Sequence, residues 1–325
     1  MQLPRRQFLH LAAGAAALPA LPRIANANTY PERQVRIIVG VPPGGPIDVS
    51  ARLTAQWLTE RLGQPFFVEN KPSAAGIVGT EMVVHAPPDG YTLLVAYVAS
   101  AINATLFEKL NYNFIRDIAP VASINAIPLV LVSNPSFPAK TINELIAYAK
   151  ANPGKVNLAT PGIGSTPDVA GELLKMMTGV DIVLVRYRGT PPALTDLLAG
   201  RVPLMLDSVP TSIEHIRAGS LRAVSVTTKS RLEVLPDTPT VGESIPGYEA
   251  SGWCGVCAPK NTPIEIVDKL NKEINAGLAD PNMKRRFTDL GATTLGGSPD
   301  DFAKFIADET EKWAKVIKFA NIKPE

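Results

Sequence analysis

The stretch Val35-Arg36-Ile37-Ile38-Val39-Gly40-Val41-Pro42-Pro43-Gly44-Gly45-Pro46-Ile47-Asp48 decides how this chain folds. Its β-branched first half reads as a strand. In Val49 to Leu62, which follows, the apolar positions Val49, Leu53 and Trp57 recur every fourth residue and predict a helix. Between the two, Gly44 and Gly45 let the backbone turn sharply, and Pro46 suits a first helical position, where an N–H would be unpaired anyway. Such a loop offers helix N-terminal amides at the positive end of the helix dipole, a place that suits a small anion such as a carboxylate. Ordinary strand-to-helix turns also carry glycine, so the loop by itself leaves both readings open.

Upstream, Arg5-Arg6-Gln7-Phe8-Leu9 precedes an alanine- and leucine-rich run to Leu21, and Ala25-Asn26-Ala27 supplies the small residues of a cleavage site. This predicts an export signal of the twin-arginine type over residues 1–27, with a general secretory signal as the alternative. The apolar run is short for a membrane span, and no cysteine near the cut would carry a lipid. Removing Arg5, Arg6 and Arg23 from 32 basic residues leaves 29 against 30 acidic ones, a balance of −1. There is no basic surplus for nucleic acid or an anionic membrane.

Downstream, Phe66–Asn70 reads as a second strand, a short helix runs through Met82 and Val84, and Asp89-Gly90 turns the chain into a third strand, Tyr91–Ala96. This βαβαβ order predicts an α/β fold with a largely parallel sheet, whose ligands lie beyond the carboxyl ends of the strands. Ser100 leaves the third strand at that end, as a ligand contact or a helix cap. Asn111–Asp117 reads as polar and irregular, and Pro120–Ile124 and Leu129–Val132 as two runs leading into a second unit. There Thr141-Ile142-Asn143-Glu144 opens a helix with a capping box. The strand Val156–Thr160 feeds a second glycine loop, Pro161-Gly162-Ile163-Gly164-Ser165-Thr166-Pro167-Asp168, and a helix to Thr178.

Two anion-compatible loops, one in each unit, point to a bound anion more strongly than either does alone. Asp168 either closes a capping box with Ser165 or faces the cleft. Arg188, after the strand Asp181–Val185, is a candidate bidentate partner for a carboxylate or a surface group. Asp207, at the end of Leu204–Ser208, faces the cleft or caps the next helix. Helices opening at Thr262-Pro263 and Ser298-Pro299 return to cover the first unit. That makes the first domain discontinuous, residues 28–124 plus 228–325, around a second domain of residues 125–227.

His85 and His215, the histidines left after the signal, lack metal-ligand spacing. Pro167 stands where a dinucleotide fingerprint has its third glycine, and no nucleophile elbow or phosphate-binding lysine loop is present. No metal, cofactor or catalytic residue is expected. Cys254 and Cys257 lie in the strand-like Gly252–Ala258. Three residues apart on a strand, their Cα atoms stand roughly 10 Å apart at about 3.3 Å per residue, beyond the ~4.4–6.8 Å of a disulfide. They read as small buried residues, with a redox couple as the alternative.

Pro42–Asp48 resembles the P-x-G-G-x-x-D loop of the extracytoplasmic solute receptors of tripartite tricarboxylate transporters, the Bug receptors. Val68-Glu69-Asn70-Lys71-Pro72 and Pro88-Asp89-Gly90-Tyr91-Thr92-Leu93 are similar to two further motifs of that family. So are Pro192-Ala193-Leu194-Thr195-Asp196-Leu197-Leu198 and Leu235-Pro236-Asp237-Thr238-Pro239-Thr240. The resemblance runs from about Tyr30 to Glu325. It implies a two-domain periplasmic binding protein of the Venus-flytrap type, monomeric, that closes on a small organic acid and delivers it to membrane permease subunits. A sensory receptor of the same fold is the alternative. It also implies that the carboxylate lies between the two glycine loops, held by backbone amides, hydroxyls and waters, with Gly44, Gly45, Ile47 and Asp48 as candidate ligand contacts on one side and Gly164, Ser165 and Thr166 on the other. The chain departs from the family at Asp168, commonly histidine, and at Arg186, commonly proline.

Overall fold

The computed structural model describes residues 29–107 and 109–323, so the expected export signal lies outside the described residues. The decisive stretch forms β1 (Val35–Val39), a glycine loop and α1 (Pro46–Leu62). Then come β2 (Phe66–Asn70), α2 (Ile77–Val84), β3 (Thr92–Tyr97) and α3 (Val98–Leu106). β1 pairs in parallel with both β2 and β3. Val35, Ile37, Ile38 and Val39 are all fully buried, as expected of a parallel strand covered by helices on both faces.

Asn113 caps a single turn, α4 (Phe114–Asp117), by accepting from the Arg116 N–H, so the stretch expected to be irregular is partly helical. The two apolar runs that follow are one strand, β4 (Ile118–Ser133), 16 residues long. Pro120 and Pro128 obscure it in the sequence, because proline breaks a strand pattern. The structure accommodates Pro120 at an irregularity in register between Pro120 and Ala122.

The second half contains α5 (Ile142–Ala151), β5 (Val156–Thr160), α6 (Thr166–Thr178), β6 (Ile182–Arg186), α7 (Thr190–Leu198), β7 (Leu204–Ser208), α8 (Val209–Arg217) and β8 (Arg222–Val226). A short α9 (Val241–Ser244) leads to β9 (Ser251–Pro259), α10 (Ile264–Ala279), α11 (Pro281–Asp289), β10 (Thr293–Thr294) and α12 (Pro299–Ala320). Here β5 pairs in parallel with β6 and β7. The parallel expectation thus holds for β2-β1-β3 and β7-β5-β6. Antiparallel pairing of β3 with β9 and of β4 with β7, β8, β9 and β10 makes each sheet mixed.

β4 carries the chain between the halves. It pairs with β9 as far as Pro128 and with β7 from Leu129. Thr240 bridges to Val226, the Tyr248 hydroxyl donates to the Ala170 carbonyl at 2.9 Å, and the Ala250 N–H donates to the Thr227 carbonyl at 3.0 Å. Thr240, Tyr248 and Ala250 thus contact the second half. Along β9, Cys254 and Cys257 fall in different apolar cores, both free and buried. Burial pushes both thiols up, Cys254 to about 12, away from the thiolate character of a redox couple. Among the described residues no helix is long and apolar enough to cross a membrane.

Candidate functional site

A cavity of about 180 Å³ lies where the halves meet. The first half contributes Ile47, Tyr97, Val98, Ile127, Gly252 and Trp253; the second contributes Leu129, Pro161, Thr166, Pro167, Thr190, Asp207 and Ser208. No lysine, arginine or histidine is among them. The positive character comes from the backbone, because α1, α3, α6, α7 and α8 all begin at this wall. Each helix N-terminus carries roughly half an elementary charge.

Several of these helix ends are left open. α1 has no side-chain cap at Gly45, and its first bond runs from the Val49 N–H to the Gly45 carbonyl, so the amides of Ile47 and Asp48 have no partner among the described residues. Gly44 has φ 91°, which a side chain would resist, and a Cβ on Gly44 or Gly45 would meet nothing within 4 Å. α7 and α8 likewise lack side-chain caps at Gly189 and Ser208. On α6 the Ser165 hydroxyl accepts from the Asp168 N–H at 3.3 Å, leaving the Thr166 amide and hydroxyl without a partner among the described residues.

The two loop aspartates do not face the cavity. Asp48, 2% exposed, accepts from the Gly44 N–H at 2.8 Å and from Arg52 Nε at 2.9 Å on one oxygen, and from Asn70 Nδ2 at 2.8 Å on the other. Asp168, fully buried, repeats this arrangement: the Gly164 N–H at 3.1 Å on one oxygen, Arg186 Nε at 2.8 Å and the Thr160 hydroxyl at 3.1 Å on the other. Both carboxylates are spent on bracing their own loops, and they take up the amides of Gly44 and Gly164. Burial pushes the Asp48 carboxyl up, but the bonds from Arg52, Gly44 and Asn70 and the Arg52 charge outweigh it and hold it below its ordinary value. The positions at which the chain departs from its resemblance, Asp168 and Arg186, are bonded to each other.

Of the other candidates, Ile47, Thr166 and Asp207 line the cavity. Asp207 is 1% exposed and accepts from Thr211 and, at 2.7 Å, from Ser212. Burial pushes its carboxyl up despite these bonds. Ser100 turns inward, where its hydroxyl oxygen accepts from the Tyr97 N–H at 3.4 Å. Arg188 is exposed and lies outside the lining. Thr190 escaped the sequence reading, although Gly189-Thr190-Pro191 carries the same glycine-then-proline helix start as the two loops. Tyr97, Ser208 and Trp253 also escaped it. Trp253 sits on a strand far along the chain and is fixed from behind, its Nε1 donating to Glu309 of α12 at 2.9 Å.

A cavity between two α/β halves, walled by helix N-termini, suits a solute-binding receptor, and among the described residues no group of three or more His, Cys, Asp or Glu could hold a metal ion. The comparisons narrow the class. Residues 50–322 match the tripartite tricarboxylate transporter family receptor, and the chain belongs to that family. It is 38% identical over 296 residues to BugT of Bordetella pertussis, covering 90% of this chain and 91% of that one. A structure from R. palustris with adipate superposes with a TM-score of 0.78 at 36% identity, covering 91% of this chain and 100% of the other. MatC from Rhodopseudomonas palustris with bound malate gives 0.74 at 34% identity, covering 89% and 100%. The family consists of periplasmic solute receptors, and these two relatives hold carboxylates.

Proposed function

We propose that the mature chain binds a small organic carboxylate in the periplasm and delivers it to the membrane permease subunits of a tripartite tricarboxylate-type transporter. The observation that carries this reading is the gathering of five helix N-termini on one cavity without a basic side chain. Fixed amide dipoles hold an anion without its having to displace a counter-charge, and they lose that partner when a ligand lacks the carboxylate. The amides of Ile47 and Asp48 and the amide and hydroxyl of Thr166 are the proposed contacts, one set from each half, with Gly45, Thr190 and Ser208 beside them.

We assign residues 29–128 and 251–323 to one domain and residues 129–250 to the other, with closure about the crossings near Pro128 and Ala250. Export by the twin-arginine-type signal and a monomeric mature chain complete the proposal. Calorimetry with a panel of mono-, di- and tricarboxylates tests the ligand class, and binding of none of them overturns it. Small-angle scattering with a bound ligand tests closure, which an unchanged radius of gyration rules out. A transport assay in a strain lacking the permease tests delivery; uptake that persists there favours the sensory alternative.

A further inference from the structure

The two loop braces are alike at the aspartate and different at the arginine. Arg52 stands one turn along the same helix as Asp48, whereas Arg186 reaches Asp168 from the end of a neighbouring strand. We propose that Arg186 is a positioning residue for ligand binding, which holds the Asp168 carboxylate against the Gly164 amide and cancels its charge beneath the anion site. The inference rests on the carboxylate reading above.

Asp168 is fully buried and stands two residues after Thr166, which lines the cavity. A bare carboxylate so close behind the wall repels an incoming anion, and burial strengthens the repulsion because little water screens it. The charges around it are closely balanced. Arg186 Nε meets Asp168 at 2.8 Å, its other end meets Glu172 at 3.0 Å, and Lys175 meets Glu172 at 3.1 Å. Two carboxylates thus face two cations, and loss of Arg186 leaves one cation for both. None of Arg186, Glu172 and Lys175 lines the cavity, so Arg186 acts through Asp168 rather than on the ligand. With 32% of its side chain exposed at the end of β6, Arg186 is not a core residue.

The test is calorimetry on the mature protein with two dianions, malate and adipate, beside two monoanions, lactate and hexanoate. Thermal unfolding monitors the fold of each variant. Arg186→Gln is expected to weaken dianion binding by about tenfold, equivalent to about 1.4 kcal/mol, and monoanion binding by less. The double variant Arg186→Gln with Asp168→Asn, which removes both charges, is expected to return affinity to within about threefold of the starting protein. Rescue and dependence on ligand charge are readouts that a merely structural role does not produce. Unchanged binding in Arg186→Gln overturns the inference, as does an equal loss for all four acids that the double variant leaves unrepaired. If the unaltered protein binds none of the four or any other carboxylate, the carboxylate reading falls and the inference falls with it.

Discussion

Thr166 concentrates the chemistry of the second loop, since its amide occupies the first position of α6 and its hydroxyl has no partner among the described residues. Thr166→Val keeps the shape and removes the hydroxyl. It is expected to cost about 1–3 kcal/mol of ligand binding, the usual cost of leaving a buried polar group unpaired, with little change in melting temperature. Titration calorimetry with the tightest carboxylate of the panel checks this. The buried aspartates differ in their response to pH. The Asp207 carboxyl is raised, so the stability it contributes is full below the unfolded value of about 3.9 and is lost as pH rises through the folded value. The Asp48 carboxyl is lowered, so its contribution is present above about 3.9 and is lost as pH falls through the folded value. Melting temperatures from pH 3 to 8 should therefore show Asp207→Asn gaining on the unaltered protein as pH rises and Asp48→Asn losing ground over the same interval.

Among the elements, β9 is packed closely against both β4 and α12 at Gly255. A Cβ on Gly255 would lie 2.7 Å from the Ala122 carbonyl oxygen and closer still to the Phe302 ring. Gly255→Ala must therefore force α12 away from the sheet, and a loss of about 1–3 kcal/mol in urea unfolding is expected. An unchanged midpoint would mean that α12 yields freely. The elements legible in the sequence are those with local signals. α1 and α6 have glycine before and proline at their starts, and Gly63 and Gly179 in the left-handed conformation at their ends. β4 was not legible as one strand, since its continuity depends on partners more than 70 residues away and Pro120 and Pro128 interrupt its pattern. The same distinction runs through the site. Ile47 and Thr166 follow glycine loops and are reached through the resemblance those loops carry, whereas Tyr97 and Trp253 reach the cavity only because β3 and β9 pair. Asp48 and Asp168 fall in the first turns of α1 and α6, but nothing in the sequence says that each turns back to hold a glycine of the loop before it.

At the scale of the whole molecule, β4 and the return near Ala250 join two halves whose sheets are otherwise separate, with the cavity beside the first crossing. The position of β9 has a consequence for how the protein is made. In the first half's sheet β9 lies between β3 and β4, yet residues 251–259 are synthesised only after the whole second half. The second half has its strands β4 to β8 in one continuous stretch, while the first must hold β1 to β3 unpaired at one edge until β9 arrives. Such long-range pairing is slow and leaves an open sheet edge in the meantime. Pulse-labelled hydrogen exchange during refolding should therefore find amides of β5 and β7 protected before those of β3, and simultaneous protection would mean that the halves fold as one unit. The part of the chain that emerges first would be the last to reach its final form.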